Sequence, residues 1–133
     1  MGGIHHDRFI TFMKLVHANW YMKNITGLFS KEKGPNKGFT AQYAVFWIFF
    51  KDKKDMTNEV LLNHELIHHE QVKELTPFLF LPIYLLHYAF NLFKYKFDKD
   101  LAYRNIALEK EAYENEKNHT YRQTRKRYAW LFK

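Results

Sequence analysis

The chain contains no cysteine, so disulfide bonds, thiolate metal ligands and a cysteine nucleophile are all excluded. Any metal site in its 133 residues must therefore be built from histidine and carboxylate side chains. Those ligands suit a catalytic zinc centre, which keeps one coordination position open, better than a closed structural site. A chain of this length is expected to form a single domain with a modest core.

Acidic residues are absent from the C-terminal end of a chain whose formal net charge is +7. The segment from Lys117 to Lys133 holds six Lys and Arg residues and no Asp or Glu. Such a run is typical of a solvated helix face, and it also suits contact with an anionic membrane or an acidic partner. No nucleic-acid-binding motif accompanies it, so we expect no nucleic-acid partner.

The N-terminus lacks the apolar core of a signal peptide, because the polar residues from His5 to Arg8 interrupt it. The expected location is therefore cytoplasmic. Peripheral attachment to a membrane is the alternative that the rest of the composition leaves open.

Charged residues are also absent from the nineteen residues Leu75 to Phe93. A membrane-spanning helix needs about twenty apolar residues. Here Pro77 and Pro82 shorten the continuous helix to about 82–93, which is too short to span. We expect either a buried helix or one that lies on a membrane surface. Because a helix that is apolar on nearly every side is hard to cover in so small a protein, dimerisation with a second copy is a further expectation.

The most informative pattern is formed by His64, Glu65 and His68, within the segment 63–71 (NHELIHHEQ). Two histidines four residues apart share one face of an α-helix, so both imidazoles can bind one metal ion. The glutamate that follows the first histidine lies beside that ion, where its carboxylate can take a proton from water. This H-E-x-x-H pattern is typical of zinc-dependent hydrolases.

Local patterns predict an α+β domain that is mostly α. Thr57 or Asn58 can cap the helix that carries the motif. The segment Phe39–Phe50, dense in aromatic and β-branched residues, predicts a short strand or hairpin before that helix, and its edge could pair with a peptide. One weakly amphipathic helix or two short helical pieces are predicted over Phe9–Phe29. Further helices are predicted over the apolar stretch after the motif, Leu101–Lys117 and Tyr121–Phe132. We expect one domain over 1–133, with its core at about 39–117 and a basic extension at 118–133.

A catalytic zinc ion needs a third protein ligand, and the acids of the predicted helix Leu101–Lys117 are the candidates. At 100° per residue, Glu109 and Glu116 fall inside the main apolar face of this helix. Glu111 lies on an adjoining face with Ala107 and Leu108. Periodicity therefore leaves both Glu109 and Glu111 open as the third ligand.

Two groups of residues together resemble the gluzincin metallopeptidases, which belong to the zincin superfamily. They are the H-E-x-x-H motif and a later helical Glu-Ala pair, Glu111-Ala112. The resemblance implies Glu111 as the third zinc ligand, and Asn115, four positions on, as the residue that orients His64. The family has an acid where this chain has Asn115, so that partner would add no charge. The chain also looks like small uncharacterised bacterial proteins that join H-E-x-x-H to a Glu-x-Glu-Ala-Tyr segment, here 109–113.

These patterns predict a zinc-dependent hydrolase that is a small metallopeptidase acting on a peptide or protein substrate. Glu65 would be the general base, and the developing oxyanion would need a second donor besides zinc. Candidates for that donor, by residue type alone, are Tyr113, Tyr103 and His87. Gln71 lies nearly on the ligand face, where it could contact substrate or steady a ligand. The alternatives are a non-catalytic zincin-like binding module and a basic membrane-surface protein that uses 75–93 and the C-terminus.

Overall fold

A computed structural model describes the backbone of residues 14–17, 41–44 and 47–50, and the whole of residues 51–133. This part of the chain is mostly helical, as the sequence predicts. Three short strands precede a long bent helix, and shorter helices follow it.

The strands β1 (Lys14–His17), β2 (Ala41–Ala44) and β3 (Trp47–Phe50) form one sheet with β3 in the middle. Strand β2 is antiparallel to β3, and β1 is parallel to it. The β2–β3 pair falls in the segment for which the sequence predicts a strand or hairpin. Strand β2 also lies against the long helix that carries the motif.

The helix predicted over Phe9–Phe29 is wrong at Lys14–His17, which is strand β1. The rest of that prediction lies outside the described residues. Apolar periodicity in this segment is weak. The backbone hydrogen bonds of this segment are made with β3 and not within a local helix. Strand formation depends strongly on such pairing with distant parts of the chain.

Helix α1 (Glu59–Lys94) follows a 3-10 helix at Lys53–Thr57 and bends sharply at Thr76. The side chain of its N-cap, Asn58, accepts a hydrogen bond from the backbone N–H of Leu61 at 3.1 Å. Thr76 has φ 62° and ψ 159°, outside the helical region. The ring of Pro77 disfavours a helical conformation in the residue before it, but it does not require a positive φ. The bend divides α1 into a site arm, residues 59–75, and an apolar arm, residues 77–94.

The apolar arm is longer than the sequence suggests. Pro77 is its first residue, a position where proline is tolerated because the N–H there has no helical partner. Pro82 lies inside the arm without interrupting it, and Thr76 is the one residue of α1 with non-helical angles.

Helices α2 (Lys99–Arg104) and α3 (Ala107–Asn115) replace the single helix predicted over Leu101–Lys117. Asp98 caps α2 by accepting from the N–H groups of residues 100 and 101. The break comes at Ile106, whose backbone is extended. It is stabilised by His87 of the apolar arm, whose Nδ1 accepts the N–H of Ala107 at 3.1 Å.

The C-terminal segment folds onto the helices and is not a separate basic helix. The single helix predicted over Tyr121–Phe132 is wrong, because the segment forms helix α4 (Tyr121–Thr124) and a separate 3-10 helix at Ala129–Phe132. Arg125 reaches into the interior and pairs with both Glu74 and Glu111, at 2.5 and 2.7 Å. The predicted extension at 118–133 is thus tied to the core.

One apolar cluster lies where the apolar arm packs against α2 and α3, and its buried side chains are Leu75, Tyr88, Ala102, Ile106 and Leu108. Further apolar side chains are buried on the site arm and α3, namely Leu62, Leu66, Ile67, Val72 and Ala112. Helix α3 contacts both arms of α1, so the bend at Thr76 brings residues of the two arms to the same side of α3.

Candidate metal centre

His64 and His68 lie one turn apart on the site arm, both buried and both facing α3. The Nε2 atom of His64 is 3.1 Å from Oε2 of Glu109, and that of His68 is 3.2 Å from Oε1 of the same carboxylate. The three potential ligand atoms lie within 4.8 Å of one another. Among the described residues this is the one group of three or more acids and histidines that could hold a metal ion.

The outer nitrogen of each imidazole is also held. The Nδ1 atom of His64 lies 2.8 Å from Oε2 of Glu116, and that of His68 lies 2.8 Å from Oε1 of Gln71. An acceptor on Nδ1 fixes a proton there and turns Nε2 toward the centre, which is how histidine ligands of metals are usually oriented. Both rings are therefore set for an ion between their Nε2 atoms and Glu109.

The orientation of the Gln71 amide follows from its own contacts. Its Nε2 donates to the carbonyl of Leu108 and to Oε2 of Glu111, each at 2.9 Å. With both protons used in this way, the oxygen is the atom that faces His68. Gln71 is fully buried and its oxygen contacts His68, which agrees with the predicted role of steadying a candidate ligand and not with contact to substrate.

Asn63, the first residue of the motif segment, positions Glu116. Its Nδ2 donates to the backbone carbonyls of Glu116 at 2.8 Å and Asn118 at 3.1 Å. These carbonyls follow the end of α3, where helical partners run out. The bonds hold the turn that brings the Glu116 carboxylate beside His64.

The charges in this cluster are strongly coupled. Burial opposes protonation of His64, but its hydrogen bonds to Glu109 and Glu116 outweigh that effect and raise its pKa to about 10. The pKa of His68 is also raised, because the Glu109 carboxylate outweighs burial. Burial acts to raise the pKa of Glu109, yet the two histidines hold it far below its ordinary value. Glu109 thus carries a buried negative charge that favours the protonated forms of the two neighbouring imidazoles, or a cation in their place.

Glu65 is buried beside these groups, with 4% of its surface exposed. Its carboxylate charge contributes to raising the pKa of both His64 and His68. The motif glutamate is therefore shielded from solvent and close enough for its charge to act on both histidines, as a general base at this site would need to be.

Tyrosines surround the cluster. The Tyr84 hydroxyl, from the apolar arm, donates to Oε1 of Glu109 at 2.7 Å. The ring of Tyr113 meets that of His64 edge to face, with 4.6 Å between centroids. Burial and the charge of Glu109 raise the pKa of Tyr113 to about 12, so its hydroxyl is a neutral donor. His87, another predicted donor, instead caps α3.

The structure corrects the prediction that Glu111 is the third ligand. Its carboxylate is completely buried, and both oxygens are already engaged. Oε1 accepts from Tyr121 at 2.9 Å and Arg125 at 2.7 Å, while Oε2 accepts from Gln71 and Arg125. Glu111 anchors the basic C-terminal segment, and Glu109 is the carboxylate that meets the two histidines.

The prediction for Asn115 is also wrong. Its side chain donates back to the carbonyl of Glu111 at 2.8 Å, within the same helix, and does not reach His64. Glu116 takes the orienting role and, unlike asparagine, brings a negative charge. Its signal was present in the sequence: Glu109 and Glu116 are seven residues apart on the apolar face. No sequence pattern indicated Tyr84, because it is distant in sequence from the other residues of the cluster.

The donor set fits zinc. Two imidazoles and one carboxylate are ligands of known catalytic zinc sites, whereas calcium and magnesium favour oxygen alone. Compared with known proteins, the chain matches no protein-family model, and no curated protein or solved structure is significantly similar to it. The resemblance to gluzincins therefore rests on the motif residues, and Glu109 in the place expected of Glu111 is a departure from that pattern.

Proposed function

We propose that the chain is a zinc-dependent hydrolase that cleaves peptide bonds, with zinc held by His64, His68 and Glu109. The observation that supports this most directly is the approach of one carboxylate to the Nε2 atoms of both motif histidines. Glu109 comes from a different helix, so the cluster depends on the tertiary fold and is not a by-product of helical spacing.

The outer contacts of the histidines support the same proposal. An acceptor on each Nδ1 leaves each Nε2 able to give up its proton and bind an ion beside the shared carboxylate. Gln71 and Glu116 supply those acceptors here. Contacts of this kind orient metal ligands and raise their basicity.

Zinc in this position would make water acidic enough to ionise near neutral pH and would polarise the carbonyl of the substrate. Glu65 accepts the proton of the attacking water and delivers it to the leaving amine, which makes it the general base and then the general acid. Tyr113, whose ring contacts His64, is the candidate for the neutral donor that stabilises the developing oxyanion. Tyr84 holds the Glu109 carboxylate in place.

Metal analysis tests the site. The purified protein should contain one zinc per chain, and His68→Ala and Glu109→Ala should each lose it. Glu114→Ala is the matched control, because Glu114 lies on the same helix, is half exposed and pairs only with Lys133 among the contacts described. Zinc content that stays unchanged in Glu109→Ala would refute the ligand set.

Hydrolysis is tested separately on the zinc-loaded protein with a mixture of unstructured peptides. Glu65→Gln should keep the zinc and lose cleavage by at least about a hundredfold, the usual contribution of a general base. Glu70→Gln is the control, because Glu70 lies on the same helix and pairs with the exposed Lys73. A zinc-loaded wild type with no cleavage of any peptide would favour the non-catalytic binding module.

A further inference from the structure

The apolar arm exposes most of its large hydrophobic side chains. Phe78 is 88% exposed and Leu86 is 72% exposed, values more typical of lysine than of core residues. The whole set, called here the exposed apolar face, consists of Phe78, Leu79, Leu81, Leu85, Leu86, Phe90 and Phe93. No charged residue interrupts it between 75 and 93. A contiguous apolar surface of this kind marks an interaction site.

The opposite side of the same arm is well packed, so the arm is not simply detached. Along it, the side chain of Asn91 donates to the carbonyl of Ala102 at 3.0 Å, and His87 accepts the N–H of Ala107 at 3.1 Å. Tyr84 and Glu109 make the third such contact. Helices α2 and α3 therefore run back along one side of the arm and leave the other side without a partner among the described residues.

The face continues into a basic turn. The ring of Phe97 contacts that of Phe93, with 5.3 Å between centroids, and is itself 64% exposed. Lys94 and Lys96, adjacent to these residues in the sequence, are both exposed. The Lys94 ammonium lies over the ring of Tyr95, 5.3 Å from its centroid. Neighbouring acids are engaged within α2, where Asp98 caps the helix and Asp100 pairs with Arg104. An apolar stripe that ends in exposed lysines is the arrangement that binds anionic bilayer surfaces.

Length and composition alone would let α1 cross a membrane, and it is the one described helix of which this is true. The packing argues against a simple span. Residues of α2 lie alongside the arm, and among them Lys99, Asp100 and Arg104 would enter the hydrocarbon with it. Charges at that depth are costly. If the arm instead lies along the membrane surface with its exposed apolar face toward the lipid, those charges remain in water.

We propose that the exposed apolar face docks the protein on the surface of an anionic lipid bilayer, with Lys94 and Lys96 at the headgroups. A second copy of the chain is a poorer occupant, because each copy carries a net charge of +7 and the lysines flank the face. The C-terminal arginines contribute less than their number suggests, since Arg125 points inward to Glu74 and Glu111. The proposal does not depend on hydrolase activity.

Vesicle flotation tests the proposal with purified full-length protein. Vesicles of phosphatidylcholine with about 30% phosphatidylglycerol should bind the wild type, and pure phosphatidylcholine should bind it more weakly. Raising the ionic strength from about 0.1 M to about 1 M, which shortens the Debye length to about 3 Å, should remove that difference but leave the apolar contribution.

The double variant Leu86→Glu, Phe90→Glu should reduce binding to the anionic vesicles by at least about tenfold, because it places charge at the apolar contact. The control is Gln123→Glu, an exposed position on α4 that lies off the apolar arm. Circular dichroism should show the same helix content in both, because neither change touches a buried residue.

Three results would overturn the proposal. The first is vesicle binding that the double variant leaves intact. The second is a wild type that forms a lipid-free dimer in sedimentation analysis, which the double variant converts to a monomer, because a second copy then covers the face. The third is a protein that stays in cell membranes through an alkaline carbonate wash, because a span, and not surface docking, resists that treatment.

Discussion

The Glu116 carboxylate lies 2.8 Å from Nδ1 of His64, on the side of the ring that faces away from Glu109. The imidazole is therefore held between two carboxylates from the same part of the chain. Only one of them can share an ion with His68, whose Nε2 approaches Glu109 alone. The two acids thus have different positions: Glu109 is the candidate third ligand, and Glu116 contacts the outer nitrogen of His64, itself a candidate ligand.

Glu116→Ala should weaken zinc binding by about 10- to 100-fold without abolishing it, the range seen when a contact behind a metal ligand is removed. Competition with a chromogenic chelator measures the affinity. Glu109→Ala should cost far more, because a coordinating atom is lost. Glu114→Ala, an exposed neighbour, should leave the affinity unchanged. Equal losses in Glu109→Ala and Glu116→Ala would contradict the division of roles.

The motif residues of the candidate site could be predicted from the sequence, because His64, Glu65 and His68 lie within five residues on one helix. Helical geometry alone decides that the two histidines share a face. The third member could not be fixed in this way. Helical periodicity left both Glu109 and Glu111 as candidates for the third ligand. The resemblance of the Glu111-Ala112 pair to that of the gluzincins favoured Glu111. The choice depends on how α3 is rotated against α1, which is set by distant contacts such as Gln71 with Leu108.

The fold shows the same division between local and distant information. Caps at Asn58 and Asp98 were predictable, because each accepts from an N–H two or three residues away. The break at Ile106 was not, since it is stabilised by His87 from another helix. Strand β1 was missed for a similar reason: its partner β3 is some thirty residues further along the chain.

Glu111→Ala should lower the free energy of unfolding by about 3 kcal/mol or more, the usual cost of breaking a buried ion pair. Arg125 would keep Glu74, but Gln71 and Tyr121 would each lose an acceptor. Urea denaturation of the metal-free protein measures the change. Glu114→Ala removes an exposed pair and should cost less than about 1 kcal/mol. A small loss for Glu111→Ala would mean that the C-terminal segment is not anchored there.

Acidification should weaken the contact between His87 and helix α3. Burial, with a smaller contribution from Lys94, lowers the pKa of His87 below its ordinary 6.5. A depressed pKa means that the neutral ring is the stable form. Its contribution is thus present above about pH 6.5 and lost as the pH falls. The protonated ring can no longer accept the N–H of Ala107 at Nδ1.

The comparison variant is His87→Asn, whose side-chain oxygen can accept the same N–H and does not titrate. Urea denaturation at several pH values between about 5 and 8 should show the wild type losing stability relative to this variant as the pH falls. Taking the difference removes the contributions of His64 and His68, whose pKa values are raised and act in the opposite direction. A difference that does not vary with pH would contradict the prediction.

Thr76→Gly should stabilise the protein by about 1 kcal/mol. Thr76 has φ 62° and ψ 159°, a region that is open to glycine but costs a β-branched residue about 1 to 3 kcal/mol. The extra flexibility of glycine in the unfolded chain offsets part of that gain. Thermal and urea unfolding of the metal-free protein would measure it. A loss of stability would mean that the surrounding contacts favour threonine in this conformation.

Pro77→Ala tests whether the bend at Thr76 is what assembles the candidate metal centre. With alanine at 77, the residue before it is no longer barred from the helical region, so the two arms are free to join as one straight helix. A straight α1 cannot place Tyr84 against Glu109 while His64 and His68 also face that carboxylate from the site arm. Zinc affinity should therefore fall in Pro77→Ala and not in Thr76→Gly, which keeps the bend. The opposite order would show that the bend is not what assembles the centre.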